Sequence, residues 1–162
     1  MTAQSIGQAS MTKLRDMLAP YLAYDLTVPY VPESKGRPRV FRGRGVTPQS
    51  TRKAENQVKV AFASIYGVHP RRLVAPILIA MDFYMPDKRR KDWDNLAKLP
   101  QDALNGIAYE DDSQIMYAIV AVHRPDDMVP GKWGLRMRRS GDPIMYDGVL
   151  ASPRSEIRLY QL

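Results

Sequence analysis

The chain has no cysteine. Disulfides and thiolate-based zinc sites are therefore excluded, and a reducing compartment fits. It has only two histidines, His69 and His123. Neither has a partner at metal-ligand spacing, so both read as ordinary surface or strand residues, and a histidine-based metal nuclease is disfavoured. No apolar run reaches the roughly 20 residues of a membrane-spanning helix. No basic start followed by an apolar block opens the chain, so no secretory leader is expected. These absences lead to the expectation of a cytoplasmic protein with no membrane partner. Acid is also missing locally: after Glu33 none appears until Glu55.

What is there is basic. The formal net charge is +7 over 162 residues, which favours a polyanionic partner. The length suits one domain, 1–162, with an extra N-terminal helix over about 1–22 and an excursion over about 125–155. Ser10 is placed to cap a helix carrying Met11, Leu14, Met17, Leu18 and Tyr21 at helical spacing, and Pro20 to end it. Residues 24–32 read as an edge strand, because Pro29 and Pro32 cannot donate to a ladder. The acid-free stretch follows. It carries Lys35, Arg37, Arg39, Arg42, Arg44, Arg52 and Lys53, with glycines at 36, 43 and 45. It reads as a flexible or hairpin-like flap whose arginines, Arg37, Arg39, Arg42 and Arg44 above all, neutralise phosphates. Phe41 is placed to stack or wedge at unpaired bases. The alternative is a merely solvated loop.

Residues 50–66 have a helical stripe of Val58, Ala61, Phe62 and Ile65, with Ser50 or Thr51 as cap and Gly67 as stop. Residues 73–85 read as a central strand with an irregular start at Pro76. Leu96, Leu99, Ala103, Leu104 and Ile107 mark a helix that ends at Asn105-Gly106. Residues 114–123 read as a second buried strand. Within the excursion, 134–139 and 144–146 suggest a hairpin turning at 140–143, anchored by Trp133. There Arg136, Arg138 and Arg139 either extend a DNA surface or belong to a plain insertion. Residues 156–161 alternate as a last strand. The expectation is an α/β fold bordering on α+β: a mixed sheet packed with two to three helices, with parallel pairing in the middle of the sheet.

The chemistry concentrates in residues 88–114. Lys88, Arg89, Arg90 and Lys91 stand directly before Asp92 and Asp94. If that segment is extended, the two carboxylates point the same way. Asp94 is also a good helix cap, and Lys98 lies one turn later on the same face. Asp102 either faces Lys98 or sits on the surface. Pro100 either kinks the helix or starts a new one. Asp111 and Asp112 precede the next strand. Singly, these acids read as caps or surface charges. Jointly, Asp92, Asp94 and Asp112 offer hard oxygen donors that suit Mg²⁺ or Mn²⁺.

The joint pattern D-x-D-N-x-x-K, then D-A-L-N-G, then D-D-S-Q resembles the signature of the RusA-type Holliday junction resolvases. The matching residues are Asp92, Asp94, Asn95, Lys98, Asp102, Ala103, Leu104, Asp111, Asp112 and Gln114. The resemblance is strong over 80–122 and weaker over 25–66. It is absent over the first twenty residues and over 125–153. It implies a catalytic acidic triplet at Asp92, Asp94 and Asp112 with Lys98 beside it, and a RusA-like fold. It also implies a homodimer that makes paired cuts in a four-way DNA junction. The basic run Lys88, Arg89, Arg90 and Lys91 is itself expected to hold the DNA backbone on either side of the cut. A less selective flap and fork nuclease, or a non-catalytic DNA-binding module, are the alternatives.

Overall fold

The computed structural model describes residues 3–37, 39–41 and 44–162. Arg42 lies outside these, as do the side chains of Arg39 and Phe41. Four strands form the main sheet: β1 (Leu22–Val28), β4 (Ile77–Tyr84), β5 (Ile115–His123) and β10 (Arg154–Gln161). Their order is β1-β10-β4-β5. β10 runs antiparallel to both neighbours, and β4 and β5 are parallel. With three helices, this is the mixed sheet of an α+β fold expected from the sequence, except that the parallel pair lies at one edge and the middle pair, β10 and β4, is antiparallel. Among the described residues no helix is long and apolar enough to cross a membrane.

The parallel pair fixes the rest. A parallel connection must return the chain to its starting end, so it needs a crossover. Helix α3 (Trp93–Leu104) is that crossover. It packs with α2 (Gln49–Tyr66) on one face of the sheet. The core between them is apolar, with Phe62, Leu96 and Leu104 fully enclosed by Ile79, Met81 and Ile157. Truncating Phe62 to Ala would leave a cavity and destabilise the fold by about 3–5 kcal/mol. α1 (Ala3–Leu18) reaches the other face, where Leu18 packs against Leu78, Ala80 and Tyr160. There Arg15 pairs with buried Asp82, which also holds His123 and Arg158.

Several local expectations are corrected. α2 has Pro48 at its N-cap and no side-chain cap; Thr51 instead turns inward and accepts a hydrogen bond from Gly36 N–H. β5 is an edge strand, not a buried one: Met116 and Tyr117 are exposed. His123 is no idle strand residue, since it bonds Asp82 and stacks on Tyr84. The basic flap does form a hairpin, β2 (Arg39–Phe41) with β3 (Arg44–Val46). In the excursion the hairpin turn is not at 140–143. Two hairpins form instead, β6 (Met128–Gly131) with β7 (Gly134–Met137), and β8 (Met145–Tyr146) with β9 (Val149–Leu150). The second turns on Asp147-Gly148, both with positive φ, which is the backbone twist a tight hairpin demands. Residues 140–142 are a brace: Asp142 takes the Arg136 guanidinium in a two-pronged contact. Trp133 does not anchor anything. It is 91% exposed, at the tip of the first hairpin.

Candidate active site and nucleic-acid interface

Asp92 and Asp94 stand together at the start of α3. Asp92, not Asp94, is the N-cap residue; it is extended (φ −69, ψ 127), and its side chain makes no cap hydrogen bond. Asp94 is already in the first helical turn, so the condition of an extended segment carrying both acids is not met. Its Oδ1 accepts from Asn95 N–H at 2.8 Å, and Asn95 Nδ2 donates to Asp92 Oδ2 at 3.5 Å. Both acids are exposed, at the positive end of the helix dipole, where negative charge is favoured.

Pro100 neither breaks nor restarts α3, which runs unbroken to Leu104. The proline is buried on the packed face, and only the carbonyl of Leu96 loses its usual donor. Lys98 therefore stays one turn after Asp94. It is exposed, and no hydrogen bond or ion pair holds its ammonium among the described residues. Asp102 does not face it; Asp102 pairs with Lys35.

Asp112 lies at the other end of α3. It opens a single 3-10 turn, Asp112–Gln114, directly before β5. Asp111 caps that turn by accepting from Ser113 N–H at 3.0 Å; hydrogen bonding from the Ser113 side chain first, and then from its backbone, holds the Asp111 carboxyl below the usual range. Gln114, which the sequence marks only as a match to the family pattern, has a structural role of its own. Its Oε1 accepts from the N–H groups of Glu110 and Asp111, both at 2.9 Å. Its Nε2 donates to the carbonyls of Leu73 and Ala75 at 2.9 and 3.0 Å. One amide thus pins the acidic corner to the chain entering β4. The signal was present as an Asp followed three residues later by Gln, the capping-box spacing. Buried Tyr109 sits at this end too: burial, and then the charge of Asp112, push its hydroxyl upward.

The three carboxylates therefore occupy two poles. Asp92 and Asp94 follow the end of β4 and Asp112 precedes the start of parallel β5, so the twelve-residue crossover helix, about 18 Å long at 1.5 Å rise, runs from one pole to the other. Among the described residues, no group of three or more His, Cys, Asp or Glu converges to hold a metal ion. A single chain thus brings Asp92, Asp94 and Lys98 together and leaves Asp112 apart.

The basic residues also divide. Arg37, Arg44, Arg89 and Arg90 are exposed. Lys91 is tied inward, donating to Pro32 O at 2.9 Å and pairing with Glu33 at 3.1 Å. Lys88 pairs with Asp127. Lys35 N–H donates to Asn95 O at 2.9 Å, so the root of the flap touches α3 close to the acids.

A family model described as "Endodeoxyribonuclease RusA" matches residues 29–131. The crossover junction endodeoxyribonuclease RusA of Enterobacteria phage 82 is 31% identical over 100 residues, which is 60% of this chain and 81% of the relative. Its counterpart from Escherichia coli K12 gives the same figures. That from Shigella sonnei is 30% identical over the same shares.

Proposed function

This chain belongs to the RusA family of endodeoxyribonucleases, and we propose on that footing that it resolves four-way DNA junctions in the bacterial cytoplasm by paired, metal-dependent cuts. The observation that carries the mechanism is the two-pole arrangement. Asp92 and Asp94 crown one end of α3, and Asp112 lies beyond its other end, before β5.

Two copies reconcile the poles. The outer edge of β5 pairs with no described strand, and Met116 and Tyr117 beside it are exposed. An open apolar edge is a template for a second strand. Paired antiparallel about a two-fold axis, β5 of one copy starts where β5 of the other ends. Asp112 of one copy then approaches the pole of Asp92 and Asp94 of the other. Such a dimer has two such composite sites, which suits two cuts in opposed strands.

Each composite site would offer three carboxylates to Mg²⁺ or Mn²⁺, both of which prefer oxygen donors. A bound divalent ion lowers the pKa of a water molecule and offsets charge on the attacked phosphate. Lys98, unpaired among the described residues and on the same helix face as Asp94, is placed to stabilise the negative charge that develops on the phosphate. Arg37, Arg39, Arg42 and Arg44 of the flap, with Arg89 and Arg90, hold the DNA backbone. Lys88 and Lys91 serve first to fasten the loop that presents those two arginines.

The test is subunit mixing. Asp94→Asn and Asp112→Asn are each expected to bind a labelled four-way junction but not to cut it. Mixed, they form heterodimers in which one composite site carries both lesions and the other none. The mixture should nick the junction in Mg²⁺. If tagged heterodimers form and the mixture stays inert, the shared site is wrong.

A further inference from the structure

The hairpin of β6 and β7 has features that the cutting reaction leaves unexplained. Its tip is Lys132-Trp133, between Gly131 and Gly134, and the indole is 91% exposed. Among the described residues Lys132, 5.1 Å from the ring centroid, is the cation that attends it. A rigid aromatic this exposed marks a contact surface rather than a core.

The hairpin is also stiff at its root. Val129 is buried, and its cross-strand partner Arg136 is forked onto Asp142 with both contacts at 2.7 Å. Arg138 N–H donates to Asp127 O at 2.7 Å. A braced hairpin with a bare aromatic tip has little ordering entropy left to lose on contact.

Charge and place indicate the partner. Between Asp127 and Asp142 the chain carries Lys132, Arg136, Arg138 and Arg139 and no acid; Asp142 takes Arg136, which leaves the other three to give the hairpin its positive charge. The hairpin springs from the end of β5 where β4 also ends, the pole of Asp92 and Asp94. The Lys88–Asp127 pair ties it to the basic run there, and Arg124 donates to Arg89 O at 2.9 Å. A basic finger beside a phosphodiester-cutting pole, tipped with an indole, fits a nucleic acid whose bases are accessible. Every base presents a π-face, and aromatic side chains stack on such faces without sequence preference.

Resting on the junction-cutting reading, we infer that Trp133 is a branch-point sensor: it stacks on an unpaired base at the open centre of branched DNA, while Lys132 lies against the adjoining phosphate. Continuous duplex offers no such base. The finger therefore adds preference for branched over linear DNA and is separate from the carboxylates that cut.

The experiment measures binding in EDTA, where no cutting occurs, with four-way junction and linear duplex of equal length. Trp133→Ala should weaken junction binding by roughly five- to a hundredfold, the range typical of one lost stacking contact. Duplex binding should change by less than about twofold. Junction should quench the indole fluorescence of the wild type more than that of Trp133→Phe, whose remaining signal comes from Trp93. Trp133→Phe also keeps a stacking ring and should retain most of the affinity, which guards against a folding artefact. Equal junction preference in wild type and Trp133→Ala would overturn the inference and leave the cutting reading intact. So would a loss of self-association in Trp133→Ala, since that would make the tip a protein contact. A wild-type protein that binds no junction in EDTA would overturn both.

Discussion

Lys35, at the root of the basic flap, forms an ion pair with Asp102 in the last turns of α3. Both side chains are about three-quarters buried, with 28% and 25% exposed. The same lysine's N–H bonds Asn95 O, and Gly36 N–H bonds Thr51 on α2. The flap is thus clamped to both helices. Lys35→Met and Asp102→Asn should each loosen it. We expect each to weaken junction binding by a few-fold, about 1 kcal/mol for a partly exposed pair. The double mutant should lose no more than either single one, the mark of a coupled pair. Single-turnover cutting at saturating enzyme should stay within about twofold of wild type, because the acids are untouched. Fluorescence anisotropy and quenched-flow cleavage measure the two quantities.

With Asp102 engaged elsewhere, Lys98 has no described partner to neutralise. Lys98→Ala should bind junctions almost normally and cut them about a hundred- to a thousandfold more slowly, the loss typical of one charge-stabilising group. Lys98→Arg should rescue only in part, since a planar fork replaces a compact ammonium poorly. A single-turnover rate reduced less than about fivefold in Lys98→Ala, about 1 kcal/mol, would remove this side chain from the reaction.

Gln114 holds four backbone groups with one amide. Gln114→Glu keeps the acceptor but loses both donors to Leu73 and Ala75. Leaving partly buried carbonyls unpaired costs about 1–3 kcal/mol, to be read from urea denaturation. If the amide also aims Asp112, the Mg²⁺ concentration for half-maximal cutting should rise in Gln114→Ala. An unchanged metal dependence in a folded variant would confine the residue to stability.

Asp82 gives a pH dependence. Burial alone would raise its carboxyl, but the His123 hydrogen bond, with Arg15, His123 and Arg158 around it, overrides that and holds it below the usual range. A carboxylate with a depressed folded pKa stabilises fully above its unfolded pKa, near 3.9, and loses that contribution as pH falls through the folded value. Asp82→Asn should therefore cost about 3 kcal/mol at neutral pH, as for a broken buried pair. The gap from wild type should shrink below about pH 4. Thermal melts of both proteins between pH 7 and pH 3 would show it, and a gap independent of pH would refute the assignment.

Much of this was legible in the sequence because it is local. The periodicity of Leu96, Leu99, Ala103 and Leu104 fixes α3, and the strand before it and the strand after it force a parallel crossover. Asp92, Asp94 and Lys98 fall within two turns of each other, so their grouping needed no tertiary information. Asp112 could not be located that way. Its distance from Asp94 depends on which end of the sheet each occupies, and that follows only from the assembled topology. The partners of Asp102 and Asp82 were hidden for the same reason: Lys35, Arg15 and Arg158 are remote in sequence. Trp133 was misread because an indole ordinarily seeks a core, and only the register of β6 with β7 shows that it is left at the tip.

The length of α3 has one more consequence on the two-copy reading. If no single chain can assemble a full set of carboxylates, a lone molecule is harmless to DNA. Below the concentration at which pairs form, cutting should rise with the square of the amount of protein rather than in proportion to it. Leaky, low-level synthesis would then leave the chromosome unscathed. An activity dangerous to its host would be switched on by abundance alone, with no inhibitor required.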